Sequence, residues 1–387
     1  MKANPGGMIA PADVIGRDKV VLRLWDVLKR QSVLLTAERR MGKTCLIKKM
    51  EAESPPDVLS VYRDLEGLRT PLEFAEDVFQ TVREYLSKRK KTAIRTQKIL
   101  GSLGGGGAAG FRFPENLAAH WKVLLTSMFL DLAEHQDSYV VFFWDELPLM
   151  LQNIAVGAGE DQATELLDTL RQLRQTHDKL RMVFAGSIGL HNVLSKFKQT
   201  GYANAPVNDM LQEDLPPLAP PDAADLAARL LDSEDICDDP LDPTPAAIAE
   251  AVDCVPYYIH HVVDQMKRRS IACSPDAVAE LVTSCLVEAQ DPWELQHYLD
   301  RVSTYYDPED RPTVLALLDA LAGQEESLAF DGLFNLLASA IETDDRENAR
   351  DLLVRLQRDH YVSLDAGGTY RFTYPMIKRW WCIHRGL

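Results

Sequence analysis

The chain has 387 residues, 46% of them hydrophobic, which suits two or three domains with a sizeable core. A formal net charge of −16 argues against a protein coated in nucleic acid over its whole surface, because non-specific affinity comes from Lys and Arg neutralising phosphates; one local basic face stays open. The six cysteines (Cys45, Cys237, Cys254, Cys273, Cys285, Cys382) are scattered without a C-x-x-C pair, and read as buried thiols of a reducing cytosol rather than a disulfide framework or zinc site.

Residues 1–12 are rich in Pro and Gly and are expected to be flexible. No signal-peptide pattern and no membrane-length apolar run is present, so the expected compartment is cytoplasmic. From Ile15, "IGRDKVVLRLWDVLKR" sets Val20, Leu24, Val27 and Leu28 at helical spacing. "SVLLTA" reads as a short buried strand, "GKTCLIKKMEAE" as a helix start and "DVLSVYRDLEG" as a second strand. A helix over "PLEFAEDVFQTVREYLSKRKK" ends in a basic run, and "GSLGGGGAAG" (101–110) reads as a mobile loop. "ENLAAHWKVLLTSMFLDLAEHQ" is a helix, "YVVFFWDE" is the most apolar strand, "ATELLDTLRQLRQTHD" is a helix and "RMVFAGS" is a strand. This alternation predicts a mostly parallel sheet with helices on both faces, over about 13–216. The Pro-rich "LPPLAPPD" then opens a helical region, which ends in two short strands around a Gly-Gly turn, "YVSLDAGGTYRFTY". Helices closed by a hairpin suggest a winged-helix unit.

The chemistry concentrates at "TAERRMGKTCL". It matches the phosphate-loop pattern G-x-x-x-x-G-K-[ST] except that Ala37 replaces the first Gly. The loop residues Ala37, Glu38, Arg39, Arg40, Met41, Gly42, Lys43, Thr44 and Cys45 are the candidate nucleotide contacts. Backbone N–H groups and the helix N-terminus would surround phosphate, Lys43 would reach the β and γ oxygens, and Thr44 would hold Mg²⁺. Ala37 fits without strain at negative φ and costs about 1 kcal/mol at positive φ. About 100 residues downstream, Asp145 and Glu146 leave an apolar strand, where carboxylates need partners. Asp145 can organise Mg²⁺, and Glu146 can orient or activate a water. Ser187 ends another strand and could face the γ-phosphate.

Together with "VIGRDKVVLRLWDVL", "LRQLRQ…RMVFAGSIGL" and "CVPYYIHHVV", these motifs resemble the AAA+-like P-loop ATPases of the archaeal-type/STAND group, relatives of the origin-recognition initiator ATPases. The resemblance implies an ATPase core (13–216), a helical lid (217–290) and a C-terminal winged helix (291–387). It places Gly16 and Arg17 near the adenine, and sets Arg39–Arg40 in the loop and Gly186–Ser187 after the fourth core strand. The family's lid G-x-P reads "CVP" here, with Cys254 in the Gly position. AAA+-type ATPases commonly complete their site with an arginine from a neighbouring subunit, so Arg171 and Arg174, one helical turn apart, are candidates in a homo-oligomer.

Two basic stretches could meet duplex DNA: "SKRKKTAIRTQK" (87–98), and the tail from Arg355, with six Lys/Arg against two Asp. In the tail, Trp380 and Trp381 are expected to pack inward, and Arg371, Lys378, Arg379 and Arg385 to carry any phosphate contact. The histidines of "YYIHHVV", "LQHYL" and "RDHYV" form no metal spacing and read as packing or surface residues. The sequence therefore predicts a cytosolic Mg²⁺-ATP switch hydrolysing ATP. Two alternatives stand beside it: a slowly hydrolysing adaptor for a protein partner in defence or transposition, and a DNA-loading initiator-like factor.

Overall fold

The computed structural model describes residues 1–88, 94–102, 113, 115–135, 139–186, 189–237 and 242–387. Residues 103–110 of the expected glycine loop and 89–93 of the basic run lie outside the described residues, whereas Gly101 and Ser102, expected in the mobile loop, end the helix Ile94–Ser102. The chain forms two compact units. One comprises Ala10–Thr36 and Lys43–Leu215; the other comprises Met1–Ile9, Ala37–Gly42 and Pro216–Leu387.

The first unit is built on five strands: β1 (Val33–Thr36), β2 (Leu59–Asp64), β3 (Val140–Asp145), β4 (Leu180–Phe184) and β5 (Leu211–Asp214). All pair in parallel, in the order β2-β3-β4-β1-β5. Strand β4 therefore lies between the strand that feeds the phosphate loop and the strand that ends in Asp145. Parallel strands covered on both faces are apolar throughout, and every residue of β3 is buried. Alternate side chains serve opposite faces. Val140, Phe142 and Trp144 join the large core formed with the Pro71–Lys88, Trp121–His135, Leu147–Ala158 and Glu160–Thr176 helices. On the other face, Phe143 meets Trp25 of the Asp18–Leu28 helix edge-on, with ring centroids 5.9 Å apart.

Two expectations shift within this unit. The long helix expected over "ENLAAHWKVLLTSMFLDLAEHQ" begins as a 3-10 segment, Glu115–His120, before the α-helix Trp121–His135. Strand β5 was not expected from "LQED": it is an edge strand that alternates half-buried and exposed residues, so it lacks an apolar run.

The second unit is mainly helical. Residues 1–9, expected to be flexible, are tied to it: the Ala3 N–H donates to Glu234 Oε1 at 3.1 Å and the Asn4 N–H to His260 Nδ1 at 3.2 Å. Toward the C-terminus, the helices Arg311–Ala322, Phe330–Ile341 and Arg346–Arg358 precede the expected hairpin, β7 (Val362–Leu364) and β8 (Thr369–Phe372). A two-residue strand, β6 (Leu328–Ala329), completes a three-stranded antiparallel sheet on the free side of β8. At the hairpin turn, Asp365 accepts from the Thr369 N–H at 2.9 Å and from the Thr369 hydroxyl at 2.7 Å. The last helix, Pro375–Arg385, buries Trp380 and Trp381, and the Trp381 indole donates to Asp319 at 2.8 Å.

Candidate functional site

In the sheet-bearing unit the chemistry gathers at the C-terminal end of β3. Asp145 is 2% exposed. The Thr44 hydroxyl, from the first turn of the Lys43–Ala52 helix, donates to its Oδ2 at 2.5 Å. The Tyr62 hydroxyl of β2 lies 3.5 Å from the same oxygen, and the Glu146 N–H donates to Oδ1 at 3.1 Å. Burial and the Asp145 charge hold the Tyr62 phenol well above its ordinary range, so it stays a neutral donor. A helix hydroxyl and a strand-end carboxylate, 101 positions apart in sequence, thus share one hydrogen bond. Both are hard oxygen donors, the type Mg²⁺ takes. Lys43 begins the same helix and is buried.

Glu146 follows in a left-handed conformation, φ 55°, as the residue before the Leu147–Ala158 helix. A non-glycine residue there costs about 1–2 kcal/mol. Neighbouring strands hold the turn: the Leu147 N–H donates to Ala185 O at 3.1 Å. A methyl at Gly186 would meet Pro148 at 2.7 Å and stand 3.5 Å from the Glu146 carboxylate, so the ends of β3 and β4 meet closely there. Ser187 lies outside the described residues. Gly16, at φ 71°, turns the chain into the first helix, and Arg17 beside it is buried.

The loop residues Ala37–Gly42 pack with the second unit. Gly42, at φ 85°, requires glycine, and Arg40 also sits at positive φ, 72°. Ala37 does not, so the missing first glycine leaves no backbone strain. Met41 is buried and Arg39 half-buried. Glu38 is 2% exposed and receives both of its bonds to Arg301 from Nη1, at 2.8 and 2.9 Å. His297 Nε2 stands 3.8 Å from Glu38 Oε1, and the Arg39 N–H donates to that oxygen at 2.7 Å. Burial alone would raise the Glu38 carboxyl, but the Arg301 guanidinium and His297 hold it well below the usual carboxylate range. Arg301 in turn donates to Asp359 O at 2.8 Å, and its guanidinium lies 5.1 Å from the Tyr361 ring centroid. The Arg40 guanidinium lies 4.0 Å from the Tyr257 ring centroid and pairs with Glu294. His297, Arg301, Tyr257 and Glu294 carried no local signal in the sequence. His297 was expected to be a packing or surface residue and instead faces a loop carboxylate.

The two candidate finger arginines separate. Arg174 is committed to the fold: its side chain is 3% exposed, pairs with Asp209 at 2.9 Å and donates to Pro206 O at 2.6 Å. Such a side chain is unavailable to a neighbouring subunit, whereas Arg171 is half-buried. The tail cations are also engaged. Arg385 donates to Asp319 at 2.9 and 2.6 Å, Arg379 donates to Thr283 at 3.1 Å, and Lys378 bonds the Gln324 carbonyl. Arg371 remains exposed. Of the cysteines, only Cys285 is buried; the others are half-exposed, contrary to expectation. Cys254, where the resemblance leads one to expect Gly, sits at φ 57°, the conformation that glycine adopts most freely.

Residues 27–194 match the family model described as AAA domain. Over these residues the parallel sheet and loop are similar to the α/β P-loop core of that family. The whole chain is similar in fold to the Walker-type ATPase PABY2304 of Pyrococcus abyssi, at 15% identity and a TM-score of 0.67, covering 96% of each chain. It is also similar to the ORC2 protein of Aeropyrum pernix, solved as ADPNP–ADP complexes, at 12% identity and a TM-score of 0.53, covering 99% of this chain and 94% of that one. No curated protein matches the sequence. Among the described residues, no helix is long and apolar enough to cross a membrane.

Proposed function

We propose that the protein is a Mg²⁺-ATP-dependent switch of the STAND-like kind, hydrolysing ATP and signalling through its C-terminal region. The observation that carries this is the Thr44–Asp145 hydrogen bond, which pairs the loop helix with the carboxylate strand. Thr44 and Asp145 would hold Mg²⁺, which supplies positive charge against the phosphates. Lys43 would bind the β and γ oxygens, with Gly16 and Arg17 at the base. Glu146 would orient the attacking water and take its proton, with Ser187 beside the γ-phosphate. Arg171 would act in trans. In this reading 217–290 is the lid and 291–387 the winged helix.

Glu38 and Arg40 support the switch itself. Both are held by side chains of the C-terminal region, so phosphate arriving at the loop would be felt there. The engaged tail cations favour a protein partner over duplex DNA as the target of the winged helix.

The test is calorimetric. Lys43→Ala should abolish ATP binding, and equal affinity in variant and wild type would end the P-loop reading. Glu146→Gln keeps the shape and removes the base, so it should retain binding and lower turnover by about a hundredfold or more. Unchanged turnover would reduce Glu146 to a strand-end residue.

A further inference from the structure

Cys237, Asp242 and Cys273 are set apart in sequence, yet the fold gathers them. One ligand atom from each lies within 4.8 Å of the others. They sit on two connections between helices, Cys237 and Asp242 on one and Cys273 on the other. Cys237 follows the Pro220–Ser233 helix, and Asp242 leads into Thr244–Ala251, accepting from the Thr244 N–H at 2.7 Å. Cys273 precedes Ser274, which caps the Pro275–Val287 helix through a bond from the Ala277 N–H at 3.3 Å.

We propose that Cys237, Asp242 and Cys273 form a binding site for a zinc-class dication. The geometry suits it: Cys273 Sγ lies 3.7 Å from Asp242 Oδ2. A tetrahedral ion about 2.3 Å from sulfur and about 2.1 Å from oxygen separates such ligands by about 3.6 Å. Two sulfurs select a borderline-soft metal over Mg²⁺ or Ca²⁺. Three protein ligands leave a fourth position for water or an external group. The Thr244 side chain is fully buried beside Asp242 and Cys273, where it can support these ligands from behind.

Free thiols carry their proton at neutral pH and ligate a metal as thiolates. Binding releases two protons to solvent and leaves a complex of two thiolates, one carboxylate and one dication. Affinity must therefore rise with pH.

The test uses the full chain, purified under reducing, metal-free conditions. Zinc alone, titrated in competition with a chromophoric chelator, should bind at one equivalent and raise the melting temperature. Cobalt in its place should show thiolate charge-transfer bands and the intense visible bands of a tetrahedral site. Cys237→Ser, Cys273→Ser and Asp242→Asn should each weaken zinc by at least the roughly 10–100-fold that loss of a supporting partner costs. Asn keeps an oxygen for the Thr244 N–H, so that variant retains the helix cap. Cys382→Ser should bind as wild type. Zinc binding that is weaker than micromolar, or indifferent to all three substitutions, overturns the site. So does a Cys237–Cys273 disulfide in protein alkylated at lysis.

Discussion

Single residues carry energies that the sequence does not advertise. Asp253 sits at φ 53°, half-buried, and accepts from the Met376 N–H at 2.8 Å at the start of the last helix. Burial pushes its carboxyl up to about 6, more than the Met376 N–H and Arg379 draw it down. The native state therefore binds more protons than the unfolded chain between the two pKa values, and stability falls as pH rises through that window. The cost is fully present above about pH 7, on the order of 3 kcal/mol, and vanishes below about pH 3. Asn tolerates left-handed backbone and still accepts from Met376. Asp253→Asn should thus melt higher than wild type at neutral pH, with the advantage fading as the solution is acidified. A melting difference that ignores pH would remove the ionised carboxylate as its cause.

Between elements, the sharpest case is the loop and the His297–Tyr305 helix. Removing Arg301 leaves a buried Glu38 charge without its cation, which costs about 3–5 kcal/mol. Arg301→Ala should destabilise on that scale, and adding Glu38→Gln should recover much of the loss. Chemical denaturation of the four combinations measures the coupling, and additive effects would deny the pair its role. Glu38's depressed carboxyl makes its contribution present above the ordinary carboxylate range and lost as pH falls toward its folded value. The sequence revealed β1, β3 and β4 because buried parallel strands are continuous apolar runs, and it revealed the loop because its chemistry is local. β5 and β6 escaped, one being polar and the other two residues long. Glu38 and Arg301 lie 263 positions apart, so only the fold could join them. Arg171 and Arg174 looked equivalent because helical spacing gives a shared face but not which end of it turns inward. The thiol pair escaped because metal ligands brought together by helix ends need no short repeat.

At the scale of the whole molecule, the trans-arginine proposal makes activity a property of concentration. If Arg171 serves a neighbouring subunit, specific ATPase activity should climb with protein concentration. Arg171→Ala should lower turnover by about 10³-fold or more, the scale of a lost arginine finger, while leaving ATP affinity nearly intact. Concentration-independent turnover by a monomer in analytical ultracentrifugation would eliminate the trans role. The anchored loop has one more consequence, for how such molecules diversify. The chain leaves the sheet-bearing unit after Thr36 and re-enters it at Lys43, and the six residues between pack with a unit that resumes at Pro216. A recombination event that exchanged everything after Pro216 for a relative's sequence would leave Glu38 behind while replacing its counter-ion. Only donors with a cation at the matching place would yield a viable hybrid, so the loop carboxylate and Arg301 must be inherited together.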